Sequence, residues 1–361
     1  MAVLIVRRLL SGAAMLAALS FITYFVANEI PQNKACLVMV CSETTTRAEM
    51  KAALHRAGID RPLVVQYGHF VWGVVRHGSL GKTWGGFPVF PSIKAALPPT
   101  LSLVGGGMLL LLLLAVPLAA LAALRPRSPT DRGVLTFSLL GLAVHPFVLG
   151  ILLREGFARG LGAPRYSYCP LTSHAVPLSP GGIYYIGPSA PKPCGGVYDW
   201  ATHMAVPWFV FALFFAPLYV RMIRARLVET LGERYVVTAR AKGAGERRVV
   251  LRHALRNVAG PLLPMVALDA GTALTAAIYI ETVFGIHGLG HLSVDTLSGN
   301  AFEGRYDLPF LNGIVFTIGL FVVLLSVAAD IASAWLDPRI RERTGTGLIR
   351  LPRILRSRAV A

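Results

Sequence analysis

Two residues inside otherwise apolar stretches could move a proton or contact a solute. His145 lies beside Pro146 in the run 134–153, and Asp269 lies in the run 262–280. An ionisable side chain at membrane depth is costly, so it faces the interior of a helix bundle and often serves a transport pathway. For His145, a hydrogen bond to a neighbouring helix beside a proline kink is the simpler interpretation, and both interpretations stay open here.

The sequence carries no pattern typical of an enzyme active site. It has no HExxH, no GxSxG and no carboxylates paired at a fixed spacing. Gly81-Lys82-Thr83 resembles the end of a phosphate-binding loop, but Arg76 stands where that motif needs its first glycine. We therefore predict a protein that is not an enzyme and that has no nucleotide site or cofactor of its own.

The four cysteines, Cys36, Cys41, Cys169 and Cys194, fall in polar segments that we place outside the membrane. In an oxidising compartment, two local pairs predict the disulfides Cys36–Cys41 and Cys169–Cys194. The first pair could also remain as two free thiols. We predict no metal site, because zinc would need more His or Cys residues at ligand spacing.

Composition indicates an all-α protein that crosses the membrane several times. The chain has 361 residues, of which 54% are hydrophobic and 15% charged. Apolar runs of about 20 residues are long enough to cross a bilayer, and six are expected: 9–27, 101–124, 134–153, 204–220, 262–280 and 310–336. The net charge of +17 reflects Lys and Arg beside these runs, as membrane orientation requires, and gives no indication of nucleic-acid binding.

The basic residues also predict the orientation, because short loops rich in Lys and Arg stay in the cytoplasm. Both termini are then cytoplasmic. The predicted organisation is a first transmembrane helix (1–28), an external scaffold segment (29–98), a transmembrane core (99–341) and a basic cytoplasmic tail (342–361). Within the core, loop 154–203 is external and region 221–261 is cytoplasmic.

Region 221–261 is a basic amphipathic connector between two apolar runs. Gly243 and Gly245 break it into helical pieces near 225–242 and 246–257. Basic amphipathic helices often lie on a membrane surface. A break centred on glycine instead lets a short helix project away from the bilayer, which favours docking onto a soluble partner.

The connector also carries a sequence signature. Residues 235–243 read YVVTARAKG, and VLRHALRN follows at 250–257 before Pro261. This closely resembles the signature of bacterial ABC-importer permeases, and most of all the dipeptide, oligopeptide and nickel subfamily. Gly243 and Ala239 match the generic pattern, whereas Val237 and Thr238 replace its Glu and first Ala.

Three further stretches agree with that subfamily: GIDRPLVVQY with GSLG (58–67 and 78–81), ETVFGIHGLG (281–290) and LDPR (336–339). The resemblance implies a six-helix type I importer transmembrane domain with an external scaffold after the first helix. It implies one permease of a pair in the bacterial inner membrane, which carries di- or oligopeptides. The implied partners are a second homologous permease, two cytoplasmic ATPase subunits that bind ATP and Mg²⁺, and an external substrate-binding protein.

The resemblance also implies roles for particular residues. Contact with the ATPase is expected from the coupling region Ala239, Arg240, Lys242, Gly243, Ala244, Gly245, Glu246, Arg247 and Arg248. The pathway or its gate is expected to include His145, Asp269, Glu281, Phe284 and His287. The cysteines at 36 and 41, the long loop 154–203 and the long tail depart from the usual pattern, which leaves the docking of the binding protein and the exact substrate open.

Other functions remain as alternatives. Nickel or another small solute could replace the peptide within the importer class. An ion-driven secondary transporter could use Asp269, Asp330 and His145, although the inverted repeats usual in such folds are not detectable. A purely structural or assembly role in the membrane is the last alternative.

Overall fold

A computed structural model describes residues 2–29, 46–57, 60–83, 88–160, 169, 194–298 and 307–336. Their regular structure is helical, apart from one isolated bridge between Lys82 and Pro88. The predicted all-α membrane fold is therefore confirmed. The predicted Cys36–Cys41 disulfide, most of loop 154–203 and the tail 342–361 lie outside the described residues.

The first half of the chain contains two long apolar helices. Up to residue 124, the described residues form α1 (Ala2–Glu29), α2 (Arg47–Ala57), α3 (Leu63–His77) and α4 (Val89–Leu124). In α1 the membrane-length apolar window is Leu9–Val26. Helix α4 has 36 residues, so at 1.5 Å per residue it is about 54 Å long and exceeds the bilayer core.

The predicted third span is not one straight helix. It consists of α5 (Pro129–Ala143) and α6 (Pro146–Gly160), and these meet at a bend of 100°. Pro146 explains the break, because proline has no N–H to donate and disfavours helical geometry in the residue before it. His145 therefore lies at a corner between two helices, whereas the sequence prediction placed it within a continuous span.

The fourth span extends further than predicted. Helix α7 (Val197–Leu231) continues well beyond residue 220, and the connector proper begins with α8 (Arg234–Ala241). The apolar face of the helix accounts for this extension, since Ile223 and Leu227 are fully buried. Arg221 and Arg226 on the other face remain exposed, and these charges are the reason that the sequence prediction ended the span at residue 220.

The rest of the chain forms shorter pieces and one long helix. They are α9 (Glu246–Arg248), a π-helical segment (Val249–Ala254), α10 (Leu255–Leu268), α11 (Ala270–Phe284), α12 (Leu289–Ser298) and α13 (Leu308–Leu336). The predicted span 262–280 thus covers parts of α10 and α11, which meet at Asp269, a residue that keeps helical backbone bonds to Met265 and Ala273. Helices α11 and α12 form a second bent pair, at 73°, so the described residues contain four to six spans.

Helices α4 and α7 pack together at the centre of the main core. Gly106 and Gly107 make this possible, since a Cβ on either glycine would lie within 2.5 Å of the ring of Trp208 or Phe211. The Trp208 indole N–H also donates to the carbonyl of Ser102, at 2.8 Å. Small residues that let helices approach closely are typical of membrane proteins.

Candidate functional site

The connector turns sharply at Gly243. This residue has φ +84°, a left-handed conformation in which any side chain would be strained. Its N–H donates to the carbonyl of Arg240 at 2.9 Å, and the N–H of Ala244 donates to the carbonyl of Ala239 at 3.1 Å. These bonds satisfy the last carbonyls of α8 and reverse the chain toward α9.

An ion pair closes the same turn. The Arg240 guanidinium donates from Nε and from its terminal nitrogen to the two carboxylate oxygens of Glu246, at 2.7 and 3.1 Å. This hydrogen-bonded carboxylate raises the pKa of Arg240. This bidentate geometry fixes the orientation of both side chains, so the residues on either side of the turn are held together.

The short helix after the turn has a basic side and an apolar side. Val249 and Val250 are buried, and the π-helical segment that they begin packs against α7 and α8. The exposed side forms an open groove, called here the basic groove, which is lined by Gly245, Glu246, Arg247, Arg248, Leu251 and Arg252. The other predicted coupling residues lie beside it: Arg240, Lys242 and Gly243 are exposed, and Ala239 and Ala244 are half-buried.

A buried ion pair holds the membrane end of the connector, and no local sequence pattern predicts it. Arg224 on α7 donates two hydrogen bonds to Asp131 at the start of α5, both at 2.6 Å. The Asp131 side chain is 3% exposed and also accepts from the backbone N–H of Arg127. The pair brings the basic loop 125–132 to the same end of the molecule as the connector, as the predicted orientation requires.

Glu281 is fully buried and joins three elements. Its carboxylate accepts from the hydroxyl of Thr100 on α4 at 2.7 Å and from the N–H of His291 on α12 at 2.9 Å. The same hydroxyl accepts from the N–H of Leu289 at 2.8 Å. We call Glu281, Thr100 and these two backbone groups the Glu281 network. It fixes α12 against α4.

Two glycines make room for that network. A Cβ on Gly288 would lie 2.4 Å from both the Glu281 carboxylate and the Thr100 hydroxyl, and a Cβ on Gly290 would lie 2.6 Å from the backbone of Ile278. The segment after α11 is therefore packed within the protein, as predicted for a re-entrant stretch. The Glu281 carboxylate is fully buried, accepts hydrogen bonds from Thr100 and His291, and does not face an open channel in this conformation.

The two other candidates on this stretch have different surroundings. Phe284 is buried in the main core. His287 packs its ring edge-on against His291, with ring centroids 5.3 Å apart, and His291 lies 3.4 Å from the carboxylate of Asp295. The structure thus places a small cluster of ionisable groups, His287 before α12 and His291 and Asp295 on it, near Glu281.

The two intramembrane candidates each contact a tyrosine. The carboxylate of Asp269 accepts from the hydroxyl of Tyr219, a fully buried residue of α7, at 2.8 Å. The ring of His145 packs edge-on against Tyr279 with centroids 4.7 Å apart, and its Nδ1 accepts from the N–H of Phe147. Asp269 thus bonds to a neighbouring helix, whereas the hydrogen bond of His145 is local and only its ring contact reaches another helix.

Cys169 and Cys194 are joined by a disulfide, as the sequence predicts. Asp199 and His203, one turn apart on α7, bring a carboxylate and an imidazole to within 4.8 Å of the two sulfurs. This donor set would suit a metal ion only with the two cysteines reduced, so the absence of a metal site stays a prediction. With both sulfurs consumed in the disulfide, no thiolate is available, so the geometry supports a covalent staple at the start of α7.

Comparison with known proteins supplies the family. Residues 115–342 match the family described as binding-protein-dependent transport system inner membrane component, and residues 1–104 match its N-terminal counterpart. A putative peptide permease protein of Brucella ovis is 32% identical over 338 residues, which cover 93% of this chain and 98% of the relative.

Two further relatives extend the comparison. The oligopeptide transport system permease protein OppB of Mycobacterium tuberculosis is 31% identical over 339 residues, with 93% of this chain and 98% of the relative covered. The dipeptide transport system permease protein DppB of Escherichia coli K12 is 28% identical over 349 residues, with 94% and 98% covered. The chain therefore belongs to the family of inner-membrane components of binding-protein-dependent transport systems.

Proposed function

We propose that this chain is the permease subunit of an ATP-driven ABC importer and forms half of the translocation pathway for di- or oligopeptides. The observation that carries the proposal is the basic groove. Arg247 and Arg248 project from a short helix whose other side is buried, at the end of a turn clamped by Arg240 and Glu246. Such a surface is suited to docking onto a soluble protein and to transmitting its movement.

The contacts of the short helix explain how movement of a docked partner would reach the helices of the core. Val249 and Val250 fix the short helix to α7 and α8, and Arg224 fixes α7 to Asp131 on α5. A partner that pulls on the groove therefore pulls on three helices of the core. Closure of an ATPase pair would then tilt the core from an inward-facing to an outward-facing state, and ATP hydrolysis would reset it, as alternating access requires.

The remaining subunits follow from the family and from the names of the relatives. We propose two cytoplasmic ATPase subunits that carry ATP and Mg²⁺, a second homologous permease and an external substrate-binding protein. The basic connector and loop 125–132 lie at the same end of the molecule. Because basic loops stay in the cytoplasm, this supports a cytoplasmic position for both loops and for the two chain termini. Peptide is proposed as substrate because relatives such as DppB and OppB bear the names of dipeptide and oligopeptide systems.

The test is co-purification and transport with a matched control. The tagged full chain would be extracted from bacterial membranes as wild type, as Arg247→Glu with Arg248→Glu, and as Arg125→Glu with Arg127→Glu. Both double variants reverse the charge of two exposed arginines at the same end of the molecule, but only the first variant alters the groove. We expect only the variant at 247 and 248 to lose the ATPase subunits and ATP-dependent peptide uptake.

Two outcomes would refute the proposal. If wild-type chain brings down no ATPase and shows no ATP-dependent uptake, the importer assignment is wrong. An ion-driven transporter would then be the next hypothesis, with Asp269→Asn tested for loss of uptake driven by a proton or sodium gradient. If uptake is ATP-dependent but nickel competes and peptides do not, the importer assignment stands and the substrate is wrong.

A further inference from the structure

Helix α3 has an unusual distribution of apolar side chains. One face carries Val64, Val65, Val71, Trp72 and Val75, which are 72%, 43%, 37%, 62% and 77% exposed. These positions recur at helical spacing and cover about a third of the helix circumference. The opposite face is also occupied, because Gln66, Tyr67 and Phe70 contact other helices. A helix with one face packed on protein and an apolar, exposed stripe on the other is not expected to present that stripe to water.

The packed face shows the depth at which α3 lies. The hydroxyl of Tyr67 donates to the carbonyl of Ala17 at 2.9 Å and lies 2.8 Å from the hydroxyl of Ser20. Its ring also packs edge-on against Phe21, with centroids 5.2 Å apart. All three partners belong to the membrane-length window Leu9–Val26 of α1. Ala17 precedes the end of that window by nine residues, or about 14 Å at 1.5 Å per residue.

A second helix gives the same depth independently. Phe70 on α3 packs edge-on against Phe316 on α13, with centroids 6.2 Å apart. Phe316 follows the start of the window Pro309–Ala332 by seven residues, or about 10 Å. Both contacts lie in the apolar part of a span and at the same end of the antiparallel pair α1 and α13. Helix α3 is therefore level with the outer part of the hydrocarbon layer.

We propose that α3 lies in the outer leaflet of the bilayer and that its stripe of valines and Trp72 contacts lipid acyl chains and the headgroup boundary. Val64 and Val71 of the stripe are neighbours of Tyr67 on the helix surface, and Tyr67 packs against Phe21 of α1. Phe21, Ile22 and Phe25 of α1 are 40%, 58% and 48% exposed and belong to a membrane span. A lipid-facing surface thus continues from α1 onto α3. Part of the segment 29–98, which sequence alone places outside the membrane, is then embedded in it.

Charge and residue type support lipid as the occupant. Helix α3 has no acidic residue, and Arg76 and His77 lie in its last turn, where a long basic side chain can reach from apolar surface to the polar headgroups. Tryptophan is enriched at membrane interfaces because its ring is apolar and its N–H is polar. A second copy of the chain or another permease subunit could cover an apolar stripe too, so the experiment must distinguish lipid from protein.

The experiment uses nitroxide labels on the full chain in phospholipid nanodiscs. In a variant whose four cysteines are serine, a single cysteine would be placed at Val64, Trp72 or Val75. Lys51, exposed on α2, is the water-side control, and Phe70 on the packed face of α3 is the protein-covered control. Collision with oxygen, which dissolves in lipid, is compared with collision with a water-soluble nickel chelate. We expect the oxygen-to-nickel ratio at the three stripe positions to exceed that at Lys51 at least fivefold.

Two results would overturn the proposal. Labels that collide mainly with the nickel chelate would place the stripe in water. Labels that collide with neither oxygen nor the nickel chelate, as expected at Phe70, would show that protein covers the stripe. Loss of both collisions only when the chain is co-purified with its associated subunits would show the same. As a check without cysteine removal, brominated lipid should quench wild-type tryptophan fluorescence more than that of Trp72→Phe. Equal quenching would also contradict the proposal.

Discussion

Substitution of Thr100 tests whether the Glu281 network fixes α12 to α4. Valine has nearly the shape of threonine but no hydroxyl. Thr100→Val therefore removes the bond to the Glu281 carboxylate and the bond from the Leu289 N–H, which measure 2.7 and 2.8 Å. The buried Leu289 N–H is left without this partner, and a buried polar group without a partner costs about 1–3 kcal/mol. Glu281 keeps the bond from the His291 N–H and loses one hydrogen bond worth about 0.5–1.5 kcal/mol. The expected loss of stability is about 1.5–4.5 kcal/mol, a large share of the roughly 5–15 kcal/mol typical of a folded domain.

Thr100→Ser is the matched control. Serine keeps the hydroxyl and loses one methyl group, which costs about 1 kcal/mol in a packed interior. The full chain in detergent would be heated in steps, and the fraction that remains monodisperse would be measured by size-exclusion chromatography. We expect serine to lie close to wild type and valine to melt well below both. Equal melting of the two variants would show that methyl packing, and not the hydroxyl, holds this contact.

Three other substitutions test separate contacts. Gly107→Ala places a Cβ 2.5 Å from the Phe211 ring, which should destabilise the protein by about 1–3 kcal/mol, whereas Gly105→Ala meets open space and should melt like wild type. Gly243→Ala strains the turn at φ +84° by about 1–2 kcal/mol and should weaken ATPase co-purification, whereas Gly245→Ala adds no such strain, since the φ of Gly245 is −65°. Asp131→Ala leaves a guanidinium without its carboxylate and should lower the free energy of unfolding by about 3 kcal/mol in denaturant titration, because that guanidinium is only a fifth exposed.

The parts of the fold that the sequence predicts are those set by local chemistry. Apolar run length identifies the spans, and the two glycines at 243 and 245 locate the turn in the connector. Glycine tolerates the left-handed backbone at 243, so the break follows from residue type alone. The exposure of Arg247 and Arg248 follows in the same way, because the charges of the connector cannot lie in lipid.

The parts that the sequence does not predict depend on distant partners. Thr100 is 181 residues from Glu281, and nothing in either local sequence indicates that they bond. Sequence alone therefore suggests a gate role for Glu281, whereas the structure assigns it a fixed position against α4. Asp131 and Arg224 are 93 residues apart, and each looks locally like an ordinary loop or connector charge. The 100° bend before Pro146 escapes prediction for another reason, since proline predicts a kink but not its size.

The positions of the fixed contacts indicate how a movement of the groove reaches the rest of the core. At the connector end, the Arg224–Asp131 pair and the buried valines of the short helix make the basic groove, α7 and the start of α5 one unit. Toward the other end of α4, the Glu281 network joins α4, α11 and α12. The two groups of helices meet along the packed interface of α4 and α7, and at the bond from the Tyr219 hydroxyl to Asp269 between α10 and α11. Because Asp269 keeps helical backbone bonds to Met265 and Ala273, a movement imposed on the groove reaches the second group through these packed side chains and not through a break in the backbone.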